Sequence, residues 1–212
     1  IGSIHKGKEA HTEILTQGLL DKEAIVGNAL VDMYMKCGET IGAHQVFDRV
    51  LAKSVDSWNA LMTGYAQLGK YETVMNLCNR MIGQGVVPDF VTFSLLLNVC
   101  RHTGLLDEGQ TYFKSMRKIY GIIPSMQHHV NVVDLFGRSG QVDIAFTLIN
   151  NVATSDDNIS FWVPLLSACH KWGNVELGSL VFKHIIQLNE CHTPSYVCMS
   201  NIYATLYNKS EK

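Results

Sequence analysis

The sequence predicts an all-α fold, a right-handed superhelical solenoid of helix-turn-helix repeats. Three observations carry that prediction. A block of one pattern recurs five times, at residues 28–47, 59–78, 94–113, 130–149 and 163–182. Each copy places a glycine in one fixed column, at Gly38, Gly69, Gly104, Gly140 and Gly173, with steps of 31, 35, 36 and 33 residues. Self-similarity at such a period marks stacked units that cannot bury an apolar face alone. Apolar residues on either side of each glycine then follow helical rather than strand spacing.

Residues 55–89 show how one unit reads. Trp58, Leu61, Met62 and Tyr65 fall on one helical face. Gly69 ends that helix, because the left-handed conformation of a C-terminal cap is cheap only without a Cβ. Val74, Leu77, Cys78 and Met81 form the inner face of a second helix, which Gly85 and Pro88 terminate. In chain order, residues 1–23 are the end of an upstream repeat, and complete units follow at 24–54, 55–89, 90–125 and 126–157. A further helix pair covers 158–192, and a last unit opens at 193–212. Both ends fall inside helical patterns, which reads as a stretch of a longer chain and leaves targeting undetermined.

Apolar residues make up 47% of the 212, with four prolines, which suits an ordered helical chain. The longest apolar stretch, near residues 91–100, has the length of a core helix rather than a membrane span. A formal charge of −2 lacks the basic footprint of a protein held to nucleic acid by charge alone. Any RNA affinity must then come from local basic groups and base contacts. Lys6/Lys8, Arg101/His102 and Lys114/Arg117/Lys118 are the basic clusters, and solvated helix faces explain them equally well.

Of six cysteines, Cys100 and Cys169 share a column with Tyr34, Tyr65 and Phe136, four residues before the glycine. Alternation of cysteine with aromatics marks a buried packing column of reduced thiols. No CxxC occurs, so no metal site is expected. His11-Thr12-Glu13 matches half of a zinc-deaminase signature but lacks the P-C-x-x-C pair that would hold the ion. His128-His129 and Cys191-His192 are the remaining metal-like pairs; His129 shares a column with Trp58, Phe93 and Trp162, which assigns it to packing. No nucleophile triad or phosphate loop appears in a supporting context, so the chain reads as non-enzymatic, without cofactor, small-molecule substrate or membrane segment.

Trp58, Leu61 and Tyr65 match part of the tetratricopeptide signature, but Met62 replaces its glycine and the unequal steps break its period. The phrases GNALVDMYMKCG, SWNALMTGYAQLGK, VTFSLLLNVCRHTGLLDEG and VDLFGRSGQVDIA instead resemble the pentatricopeptide repeat family, in its plant PLS subclass. WVPLLSACHKWGNVELG and SYVCMSNIYA resemble the two extension motifs that follow the last repeats there. In those terms the chain is a long-type tail, then short, pentatricopeptide-type, long and short units, a first extension motif and a truncated second. The resemblance implies a protein of mitochondria or chloroplasts that binds single-stranded RNA sequence-specifically, most often to specify C-to-U editing. It also implies extension motifs that contact a cytidine deaminase domain or other editing-complex proteins. A tetratricopeptide-like protein-interaction scaffold is the alternative.

In the family each unit reads one base through its fifth and last residues. Mapped here, the pairs are Asn28 with Ser54, Asn59 with Asp89, Ser94 with Ser125, and Val130 with Asp157, for which Asn158 is an alternative. An asparagine amide can both donate to and accept from a pyrimidine edge, and the last residue orients it. By analogy Asn59/Asp89 prefers U and Asn28/Ser54 prefers C; Val130 has no polar group to offer. Ile25 and Val91 fit a second-residue column that sandwiches bases, whereas Asp56 and Gln127 do not. Val163 leaves the extension region without a reading pair. Asn28 and Asn59 also suit helix N-caps; two in one column, each matched by a polar last residue, favour base reading.

Overall fold

A computed structural model of the chain describes residues 2–20, 24–51, 53–152 and 159–210, and among them twelve helices and no strand. The helices are α1 (Gly2–Thr16), α2 (Ala24–Lys36), α3 (Thr40–Arg49), α4 (Val55–Gln67), α5 (Tyr71–Gly83) and α6 (Phe90–Thr103). They continue as α7 (Leu106–Lys118), α8 (Met126–Arg138), α9 (Val142–Val152), α10 (Ile159–Trp172), α11 (Val175–Leu188) and α12 (Thr193–Ser210). No described helix is long and apolar enough to cross a membrane. The chain divides into two compact units between Val99 and Cys100, inside α6.

The turn within each helix pair follows from its glycine. At Gly69 φ is +69°, and its N–H donates to the Ala66 carbonyl at 3.0 Å while Lys70 N–H donates to Tyr65 O at 2.9 Å. These paired bonds close α4 on carbonyls that would otherwise be orphaned. The carbonyl used belongs to the aromatic or cysteine column, so one residue both fills the core and caps its helix. Glu39 and Asn174 repeat the bond, onto Tyr34 O at 2.9 Å and Cys169 O at 3.0 Å.

In the first unit α2 pairs with α3 and α4 with α5, while α2 stacks on α4. Trp58 is 0% exposed, its ring 4.8 Å from Phe47 in an edge-on contact and covered by the Arg80 guanidinium at 5.5 Å. Leu61, Met62, Tyr65, Val74, Leu77, Cys78 and Met81 are buried around it, as their spacing predicts. Gly64 lets α4 approach α2: a Cβ there would meet Cβ of Met35 at 2.6 Å and Sδ at 2.9 Å. Two histidines tie successive pairs together. His11 of α1 shares a hydrogen bond with the Tyr34 hydroxyl at 2.9 Å, and His44 of α3 with the Tyr65 hydroxyl at 2.8 Å.

In the second unit α8 packs on α7, α9 and α10, and α10 packs on α11 and α12. Gly137 plays the part of Gly64, since a Cβ there would lie 2.8 Å from that of Ala168. The same crossing carries two polar ties, Trp172 Nε1–H to Gly137 O at 2.8 Å and Lys171 Nζ to Arg138 O at 3.0 Å. Asp134 accepts from Arg101 at 3.3 Å and from Arg138 at 2.9 Å. Cys100 and Cys169 are free and buried, and burial pushes each thiol up to about 12. Such thiols carry no thiolate at neutral pH and behave as small apolar groups.

Candidate functional site

The fifth residue of a unit sits in the second turn of its first helix, and the last residue sits just before the next. Asn59 lies inside α4, whose N-cap is Ser54, accepting from Ser57 N–H at 3.4 Å. Asn28 lies equally inside α2. Helix capping therefore explains neither asparagine. The caps are instead the last residues themselves, and this function of Ser54, Asp89 and Ser125 was missed in the sequence. The recoverable signal was the residue three places on: Thr92 and His128 complete capping boxes with Asp89 and Ser125, and Ser57 donates its N–H to Ser54.

The Asn59/Asp89 pair is assembled. Asn59 is 5% exposed, and its Nδ2 donates to Asp89 Oδ1 at 3.0 Å across 30 residues of sequence. Its Oδ1 accepts from the Thr92 hydroxyl at 2.8 Å. Asp89 Oδ1 also accepts from Thr92 N–H at 2.8 Å and lies 2.8 Å from the Thr92 hydroxyl, while Asp89 N–H donates to Thr92 Oγ1 at 3.2 Å. Burial would raise the Asp89 carboxyl, but the hydrogen bonds from Thr92, Asn59 and the Val91 backbone outweigh it and hold the group below its ordinary value. The pair is thus an ionised carboxylate clamped to one end of a carboxamide.

The other pairs differ. Asn28 Oδ1 is buried and accepts no hydrogen bond, while the Ser54 hydroxyl faces Ser57 Oγ at 3.3 Å. An acceptor held dry without a donor is costly to the free protein. Ser94 is half-buried. Ser125 turns inward, its hydroxyl 2.8 Å and its N–H 3.0 Å from Nδ1 of the fully buried His128. Since that N–H must donate, Nδ1 is the acceptor. Val130 is half-buried, and Asp157 with its alternative Asn158 lies outside the described residues. In the second-residue column Ile25 is 79% and Val91 48% exposed, while Asp56 and Gln127 are exposed polar groups. Exposed apolar side chains beside a polar pair are surfaces on which a planar base could stack.

The metal-like pairs separate. His11 is spent on Tyr34, and His129 Nδ1 donates to Ser125 O at 2.8 Å with its ring edge-on to Phe113 at 5.1 Å. His192 Nδ1 bonds the Ser195 hydroxyl at 2.8 Å. No group of three or more metal-ligating side chains converges among the described residues. A pocket of about 460 Å³ lies between α9, α10 and α11, where the His184 ring lies 4.2 Å from that of Trp162, tilted by 50°.

Comparison with known proteins agrees with this architecture. The PPR repeat family model matches residues 53–102, and the PPR repeat model matches 28–55 and 91–119. A chloroplastic pentatricopeptide repeat-containing protein of Arabidopsis thaliana is 38% identical over 207 residues, 97% of this chain and 28% of the relative. A mitochondrial one from the same plant is 36% identical over 203 residues, covering 96% and 30%. The chain thus spans between a quarter and a third of these relatives. Among solved structures, the pentatricopeptide repeat protein PPR10 from maize superposes with a TM-score of 0.73 at 16% identity, over 97% of this chain and 30% of that one. The PPR domain of Arabidopsis thaliana protein-only RNase P 1 does so at 0.65 and 17%, over 86% and 98%. Helix pairs closed by a glycine column, and this recurrent sequence match, identify the chain as a run of pentatricopeptide repeats of the plant type.

Proposed function

We propose that the chain is a non-catalytic, sequence-specific single-stranded RNA reader, part of an organellar specificity factor for C-to-U editing. The observation that carries the reading is the Asn59–Asp89 contact, which joins the fifth and last residues of one unit at 3.0 Å. A carboxamide held by a carboxylate offers one donor and one acceptor to a pyrimidine edge. Support also comes from a solved neighbour, the maize protein PPR10, whose structure is a complex with an 18-nt psaJ RNA element. Chloroplastic and mitochondrial relatives support an organellar setting. The residues resembling extension motifs, from about Ile159 onward, would contact a cytidine deaminase domain or an editing-complex protein. The protein-scaffold alternative gains nothing from the family match. Replacing Asn59 with Thr tests the reading: the base preference of that unit should move from U toward G, and an unchanged preference refutes it.

A further inference from the structure

We infer that Thr92, the third residue of the following unit, is a positioning residue that sets the choice between U and C made by Asn59. The inference rests on the base-reading function proposed above. A carboxamide is nearly symmetric in shape, so a half-turn about its last torsion exchanges donor and acceptor. That exchange has a definite consequence for a pyrimidine. Uracil presents an N3–H donor beside an O4 acceptor, whereas cytosine presents an N3 acceptor beside an N4 amino donor. An amide that complements one is reversed for the other, and whatever fixes its polarity fixes the base.

Two groups do this for Asn59. Asp89 accepts only, so it draws Nδ2 toward itself at 3.0 Å and would repel Oδ1 placed there. Thr92 Oγ1 lies 2.8 Å from both Asn59 Oδ1 and Asp89 Oδ1. Asp89 Oδ1 already accepts from Asn59 Nδ2 and Thr92 N–H, so the Thr92 hydroxyl proton matters most to Asn59 Oδ1, which it holds on the side away from the carboxylate. The second Nδ2 hydrogen and the second Oδ1 lone pair are left over for a ligand. Thr92 is 0% exposed and cannot itself reach RNA, which makes its action indirect. The repeat at residues 24–54 supplies the contrast. There Ser54 and Ser57 face each other at 3.3 Å, and Asn28 Oδ1 has no donor at all.

The test is selection from a randomised single-stranded RNA pool by the full chain carrying Thr92→Val, Thr92→Ala or Thr92→Ser, beside Asn59→Thr to locate the relevant RNA position. Val preserves size and leaves the Thr92 backbone N–H on Asp89; Ala covers the case in which Val does not fold. At the position that Asn59→Thr shifts, the U-to-C enrichment ratio should fall about fivefold or more in Val and Ala, as for loss of one neutral hydrogen bond. Ser should retain it, and the other positions should not change. If Asn59→Thr shifts a position but Thr92→Val keeps its ratio, Thr92 is a cap only and the inference is overturned. A uniform loss of binding at every position in Val and Ala overturns it too, by showing a purely structural role. If no position responds to Asn59→Thr, base reading itself is refuted, and this inference with it.

Discussion

Gly64→Ala should destabilise the first unit although it lies in a helix interior, where alanine normally helps. Alanine is favoured over glycine there by about 1 kcal/mol. At Gly64, however, the added Cβ meets Met35 Cβ at 2.6 Å as well as Sδ at 2.9 Å. A Cβ cannot swing away like the end of a flexible side chain, so α2 and α4 must separate. Overpacking of this kind costs about 1–3 kcal/mol, which exceeds the propensity gain. Met35→Ala removes the contacts with Cγ and Sδ but keeps the Cβ, so it should rescue only part of the loss. Gly69→Ala is the control: nothing lies within 4 Å of its Cβ, and its cost of about 1–2 kcal/mol comes from φ of +69° alone. Met35→Ala should leave that cost untouched. Urea unfolding combined with hydrogen exchange of the α2 and α4 amides measures this, since stacked repeats need not unfold in one step. A Gly64→Ala protein that gains stability would refute the close stacking of α2 on α4.

Other outcomes follow from the same packing. Trp58→Ala should cost about 3–5 kcal/mol, because it empties a fully buried site between Phe47 and Arg80; thermal or urea unfolding checks it. Thiol labelling of the native protein at neutral pH should modify the exposed Cys191 quickly and leave Cys100 and Cys169 unreacted until unfolding. His11 is held below its ordinary value of 6.5, first by burial and then by Arg49. The unfolded chain therefore takes up its proton before the folded one does. Stability from this group is complete above about pH 6.5 and is lost as pH falls through the lower folded value. Urea midpoints between pH 7 and 5 should drop, and His11→Gln should flatten that drop. Asp89, also held low, acts in a separate window, its contribution disappearing only in acid below the carboxylate range.

Helix pairs were legible in the sequence because their determinants are local. Gly69 needs no partner to demand a turn, and Trp58, Leu61, Met62 and Tyr65 fall on one face at any tertiary arrangement. The pairing of Asn59 with Asp89 came from family resemblance rather than pattern, since 30 residues separate two polar groups that no periodicity links. Thr92 escaped notice because a threonine early in an apolar helix looks like core filling; only geometry shows its hydroxyl between two oxygens. The His11–Tyr34 and His44–Tyr65 bonds were hidden for the same reason, each crossing between successive helix pairs. Gly64 and Gly137 carry no local signal in the sequence beyond a low helix propensity, yet each lies where another helix packs too close for a Cβ.

Base reading by Asn28 and Asn59 is most directly tested by binding the protein to a randomised single-stranded RNA pool at a fixed, stated salt concentration. The account predicts enrichment of a C and an adjacent U at the positions facing these two units. A pool that stays random, with binding that fades steeply as salt rises, would show backbone contacts alone and contradict it.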